Sequence, residues 1–198
     1  IWRCKGGKEI MKQVVHIIAT LTLIGVIASG SLSLVNNWAA PKIALNQKAE
    51  TERAIYLVHL DGKRYEEIKN AGFEVYKVFN ETDSSVGYSL VYSGNGFQGK
   101  IKLMIGLTED LNKTTSIEVL EQSETPGLGT KILEPPYKDQ YNGLVTTPAI
   151  KLVKGVEPSN PYEVQSITGA TISSRAVVTI VNGGIAKLRA VENKGASK

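Results

Sequence analysis

Ser166-Ile167-Thr168-Gly169-Ala170-Thr171-Ile172-Ser173-Ser174 is the stretch on which the fold turns. Behind it, Val177, Ile180, Val181, Ile185 and Leu188 recur at spacings of three and four, which puts them on one face of a helix. Ahead of it the chain reads as strands. Hydroxyl residues before such a run are ordinary helix caps, because their side-chain oxygens accept from the orphan N–H groups of the first turn. The same residue types also suit an anion site with an attachment point. Gly169 and Ala170 leave room for a phosphate group and a modifying enzyme, the opening N–H groups and the helix dipole favour negative charge, and Thr171 supplies the hydroxyl. Further along, Gly183 and Gly184 each cost about 1 kcal/mol relative to Ala, which implies either close backbone packing or an early helix end. Glu192 to Lys198 reads as a frayed polar tail.

Upstream, Phe73 to Phe79 alternates β-formers with charges, and Tyr88–Tyr92 followed by Lys100–Leu107 reads as two strands around Ser93-Gly94-Asn95-Gly96-Phe97-Gln98-Gly99. The Gly94, Gly96 and Gly99 spacing matches a dinucleotide fingerprint, but it lies between strands instead of opening a helix and so reads as a hairpin turn. Thr115–Leu120 is a further strand and leads into Glu124-Thr125-Pro126-Gly127-Leu128-Gly129-Thr130-Lys131. Strands before and a helix after predict an α+β domain over residues 61–191, with a twisted, mainly antiparallel sheet flanked by helices.

Val14–Val35 contains no Asp, Glu, Lys or Arg, and as a helix it reaches roughly 33 Å, enough to cross a bilayer core. It reads as a single transmembrane helix, with Trp38 where an interfacial aromatic belongs. A cleaved signal peptide is the competing reading, although its apolar core is usually shorter, about 7–15 residues. Arg3, Lys5, Lys8 and Lys12 outweigh Glu9, so residues 1–13 are expected in the cytoplasm and the rest of the chain on the outer face. Lys5-Gly6-Gly7-Lys8-Glu9 also reads as a ribosome-binding sequence translated as protein, which would make Met11 the start and leave Lys12 to carry the charge bias. Ala40-Pro41 is expected to break the anchor's pattern, with residues 36–60 forming a membrane-proximal linker and an amphipathic helix from Ile43 to Leu60.

Composition narrows the chemistry. The 198 residues are 42% hydrophobic, enough for one medium-sized core and an anchor. Although the net charge is +4, the 23 basic and 19 acidic residues are interspersed, with no basic stripe to suggest nucleic acid. The single cysteine, Cys4, excludes an internal disulfide and a cysteine metal cluster. His16, in the anchor, and His59 have no ligand-like neighbours at metal spacing and read as packing residues. Redox chemistry in this chain would have to come from a cofactor.

Thr168-Gly169-Ala170-Thr171, continuing into Ile172-Ser173-Ser174-Arg175, resembles the flavinylation motif of the FMN-binding domain family. That family includes the G subunits of Rnf complexes and the C subunits of sodium-pumping quinone reductases. Glu124-Thr125-Pro126-Gly127-Leu128-Gly129 resembles its other characteristic loop, which lies beside the flavin ring. The resemblance implies FMN joined through a phosphoester to Thr171, with Ser166 and Thr168 bonding the phosphate or ribityl chain and Gly169 and Ala170 giving clearance. It also implies that Gly127, Leu128 and Gly129 lie against the isoalloxazine in a loop shaped by Glu124 and Thr125. Lys131 reads either as a partner for reduced flavin or as a solvated lysine, and the Gly94–Gly99 turn acquires a supporting role near the flavin. The family's motif commonly has Ser at Thr168, an acidic residue at Gln165 and a His at Gln122; the acceptor Thr171 is unaffected. A short chain with one anchor looks more like the Rnf G protein. The expected function is an electron relay in a membrane complex coupling ferredoxin and NAD to ion movement, with the other membrane and redox subunits, a flavin transferase and the lipid bilayer as partners. The alternatives are the C component of a sodium-pumping quinone reductase, or a non-redox anchored binding protein in which Thr171 only caps a helix.

Overall fold

Apart from Pro41, apolar and helix-forming residues lead from the anchor into the next segment, and the result is one helix, α1 (Gly6–Val58). A computed structural model describes residues 6–69 and 71–195; Cys4, the leading charges Arg3 and Lys5, and the last residues of the polar tail lie outside them. The chain divides into two units, Ile1–Lys48 and Ala49–Lys198. In the first, an 18-residue window of α1 has a mean hydropathy of 2.0 with none of it buried, so it is long and apolar enough to cross a membrane. Its polar side chains turn back on the helix: Thr20 Oγ1 donates to the His16 carbonyl (2.8 Å) and Ser29 Oγ to that of Gly25 (2.7 Å). The break expected at Ala40-Pro41 does not occur. Proline removes one N–H donor, and the helix formers on both sides carry α1 through Pro41.

The second unit is built on a five-stranded antiparallel meander in sequence order. Its strands are β1 (Arg64–Glu67), β2 (Val75–Phe79), β3 (Ser85–Asn95), β4 (Lys100–Thr108) and β5 (Thr114–Glu121). β3 and β4 form the hairpin read from the glycine-rich segment, closing at Asn95 opposite Lys100. Alternation of side chains divides the core between the two faces of the sheet. On one face Val78, Val91 and Met104 pack with Ala54, Ile55 and Val58 from the end of α1.

On the other face Leu90, Ile101, Leu103, Ile105 and Leu107 meet the apolar stripe of the last helix, α3 (Thr171–Gly195). Fully burying a Val, Leu or Ile contributes about 1.5–3 kcal/mol, and Val177, Val181 and Leu188 are fully buried. The paired glycines mark close packing and not an early end: a β-carbon on Gly184 would stand 2.7 Å from Leu90 Cδ1. The helix continues past Glu192 to Gly195.

Between sheet and helix the chain makes a 3-10 turn (Gly129–Leu133), the short helix α2 (Pro135–Lys138), a second 3-10 turn (Asp139–Tyr141) and a small parallel pair, β6 (Lys151–Val153) with β7 (Glu163–Gln165). These short pieces carry the approach to Thr171.

Candidate functional site

The turn into α3 explains its own sequence. Gly169 sits at φ +85°, a left-handed conformation that glycine adopts without penalty, and the Ala170 N–H closes on the Ile167 carbonyl at 3.0 Å. The Ala170 carbonyl accepts from the Ser174 N–H and hydroxyl, each at 3.0 Å, and Ser174 Oγ accepts from the Ile167 N–H at 3.0 Å. Ser174 therefore staples the turn. Thr171 is the first helical residue, partly exposed, and among the described residues no hydrogen bond engages its hydroxyl. Below the turn, Tyr137 O–H donates to the Ser174 carbonyl (3.1 Å) and receives Tyr141 O–H (3.1 Å). Burial pushes both phenols well above their ordinary range, so they remain neutral donors.

A cavity of about 330 Å³ opens beside this turn, lined by Phe97, Thr125, Leu128, Gly129, Lys154, Gly169, Ala170, Thr171, Ile172 and Ser173. Both sequence loops thus meet at one place. Pro126 and Gly127, with Gly127 at φ +74°, make a turn in which the Leu128 N–H reaches the Thr125 carbonyl at 3.2 Å. The Gly127 N–H donates to Thr130 Oγ1 (2.9 Å). That turn brings Leu128 against Gly169. Of the residues expected to bind, Thr125, Leu128, Gly129, Gly169, Ala170 and Thr171 line the cavity, while Glu124, Gly127, Ser166 and Thr168 are not part of its lining. Ser166 is buried, with its N–H on the Val153 carbonyl (2.9 Å) and not turned to the cavity; Thr168 is exposed.

Phe97, Lys154, Ile172 and Ser173 complete the lining without having been singled out as binding residues. Phe97 carried a signal, an aromatic between the glycines of a hairpin turn. Lys154 carried none, since it follows a three-residue strand and is one of many lysines. It supplies the cavity's positive charge, whereas Lys131 is exposed and outside the lining. His59 is buried against the Tyr88 carbonyl (Nε2, 3.1 Å), and among the described residues no group of three or more His, Cys, Asp or Glu is placed to hold a metal.

The cavity falls within the range of small-cofactor sites, about 300–1,000 Å³. It offers apolar walls from Phe97, Leu128 and Ile172, a cation at Lys154, and the unpaired N–H groups that open any helix. These groups fit a flat aromatic ring system joined to a phosphate.

The comparisons with known proteins agree. The FMN-binding domain is matched over residues 96–186, which contain every residue lining the cavity. The G subunit of the ion-translocating oxidoreductase complex of Methanosarcina acetivorans is 30% identical over 189 residues, 91% of this chain and 97% of that protein. The chain belongs to the FMN-binding domain family. The G subunit of the Na(+)-translocating ferredoxin:NAD(+) oxidoreductase complex of Acetobacterium woodii is 35% identical over 57% of this chain. The C subunit of the Na(+)-translocating NADH-quinone reductase of Vibrio alginolyticus is 30% identical over 55%. The chain spans 53% and 45% of the length of these two relatives. Among solved structures, NqrC of Shewanella oneidensis superposes with a TM-score of 0.54 at 21% identity, covering 65% of this chain and 67% of that one, a likeness of fold.

Proposed function

We propose that this member of the FMN-binding domain family is the membrane-anchored flavoprotein subunit of an Rnf-type, ion-translocating ferredoxin:NAD oxidoreductase, relaying electrons through FMN joined by a phosphoester to Thr171 Oγ1. One observation carries the reading: the Thr171 hydroxyl, unengaged at the first turn of α3, opens on the same cavity as Leu128 and Gly129. A residue that merely capped α3 would sit before the helix and spend its oxygen on the first-turn N–H groups. Ala170 holds that position, which disfavours the non-redox binding protein.

The residues divide the work. Gly169 and Ala170 clear the approach to the hydroxyl, the opening N–H groups of α3 and Lys154 neutralise the phosphate, and Leu128 with Phe97 walls the ring system. When bound, FMN supplies the redox chemistry, and the protein sets its position and surroundings. The match over nearly the full length of the Methanosarcina protein supports the G-type assignment over the C type of the quinone reductases, of whose Vibrio representative the chain spans 45%.

α1 anchors the chain in the bilayer, and the basic residues ahead of its uncharged stretch Val14–Val35 favour an outer location for the second unit, with the remaining membrane and redox subunits as neighbours and a flavin transferase for maturation. A cytoplasm-dependent reporter fused after Lys198 stays silent on this reading; an active one reverses the topology. As a relay, the purified flavin-loaded chain takes electrons from dithionite but is reduced negligibly by NADH alone. Rapid stoichiometric reduction by NADH would mean an autonomous dehydrogenase and contradict the proposal.

A further inference from the structure

Glu124 is a buried carboxylate, 4% exposed, whose partners lie mostly in other segments. Oε1 accepts from the N–H groups of Phe97 (2.9 Å) and Gln98 (3.2 Å) at the tip of the β3–β4 hairpin. Oε2 accepts from the Ser173 hydroxyl (2.5 Å) in the first turn of α3. Glu124 itself opens the loop that delivers Thr125, Leu128 and Gly129 to the cavity. One side chain therefore clasps three segments that wall the site.

Two glycines are fitted around it. A β-carbon on Gly96 would collide with Oε1, and one on Gly129 would lie 2.7 Å from Glu124 Cβ and 3.0 Å from Ser173 Oγ. Beyond this clasp a single exposed side-chain bond among the described residues, Thr125 Oγ1 donating to Gln98 Oε1 (2.9 Å), joins the loop to the hairpin tip, and the wall's side chains stand open, Phe97 63% exposed and Leu128 47%. The helix has independent support, because Val177, Val181, Ile185 and Leu188 are buried in the core and Tyr137 holds the Ser174 carbonyl. Losing Glu124 would thus loosen the cavity before it loosened the fold.

We propose that Glu124 is a positioning residue for the flavin, its carboxylate fixing Phe97, Leu128 and the Thr171 turn in the arrangement that encloses the ring. The inference rests on the function proposed above and goes beyond it by separating occupancy of Thr171 from folding. It assigns the glycine-rich hairpin a part in the site through its backbone N–H groups, held by a residue well separated from it in sequence.

The test uses the full chain in membranes, made with a flavin transferase, as wild type, Glu124→Ala, Glu124→Gln and Ser173→Ala. Glutamine keeps an oxygen for the two N–H donors and an amide N–H for Ser173 Oγ, so it preserves the clasp. Covalent flavin per chain, visible circular dichroism of the bound flavin and thermal unfolding are measured together. Glu124→Ala keeps a cooperative unfolding transition but loses flavin by about tenfold or more, as expected when the support of a site is removed. Glu124→Gln restores most of the flavin with wild-type dichroism, and Ser173→Ala is labelled more slowly to the same end point. Wild-type occupancy and dichroism in Glu124→Ala overturn the inference, as does a Gln variant as empty as the Ala one. If Glu124→Ala fails to fold, an unchanged labelling rate in Ser173→Ala overturns it. A wild-type chain without flavin instead sinks the proposed function, and this inference with it, so the two failures are distinguished by the wild type alone.

Discussion

Leu128 touches Gly169 across the cavity: a β-carbon added to Gly169 would stand 3.3 Å from Leu128 Cδ2. The contact joins the loop after β5 to the loop before α3, at a residue that is left-handed at φ +85°. Gly169→Ala combines a left-handed penalty of roughly 1–2 kcal/mol with pressure on Leu128. The expected outcome is a small fall in thermal stability and a much larger fall in flavin per chain. Equal labelling of the variant and wild type would show that the Gly169 turn does not govern access to Thr171.

Lys154 is the cation that lines the cavity. The residue is exposed, so its effect on an anion is modest and screened, about 0.3–1 kcal/mol at low salt. In a Thr171→Ala background, where FMN binds only reversibly, Lys154→Met is expected to weaken FMN binding a few-fold at low salt, with the difference shrinking as salt is raised. Titration by flavin fluorescence reads this directly, and a salt-independent loss would point to packing and not charge.

His59 predicts an acid limit to stability. Its Nε2 lies 3.1 Å from the Tyr88 carbonyl and therefore carries the proton, leaving the buried Nδ1 unpartnered. Burial holds the folded pKa below the ordinary 6.5, against a weaker opposing pull from that carbonyl. Below pH 6.5 the unfolded chain binds a proton that the folded chain refuses. The His59 contribution is thus complete above that pH and is lost as pH falls through it, with a slope of at most about 1.4 kcal/mol per pH unit. Denaturant midpoints are expected to drop between pH 7.5 and 5.5 in the wild type and to change less in His59→Gln. An equal drop in both would assign the acid sensitivity elsewhere.

The legible parts of this fold are those with a long period or a distinctive spacing. The stripe from Val177 to Leu188 and the strands on either side of Gly94–Gly99 announce themselves, because burial on one face imposes periodicity. Arg64–Glu67 does not: β1 is an edge strand that turns a single side chain, Tyr65, to the core, and three of its four residues are exposed. β6 and β7 are three residues each, too short for any period, yet they bring Lys154 beside the approach to Thr171. Pro41 misleads because a local breaker is overridden by helix formers on both sides. That Thr171 and the two loops belong together is legible in the residues, and the structure brings them to one cavity, whereas Phe97, Lys154 and the reach of Glu124 to Ser173 depend on contacts between segments far apart in the chain.

The central claim is that Thr171 carries the flavin. The measurement is ultraviolet fluorescence of the chain on a denaturing gel, with mass spectrometry of the peptide containing Thr171, after production with a flavin transferase. Wild type, Ser173→Ala and Ser174→Ala are expected to fluoresce and to carry the added FMN phosphoryl group on that peptide, while Thr171→Ala is dark. A fluorescent Thr171→Ala, or a wild type that loses all flavin on denaturation, would contradict the account.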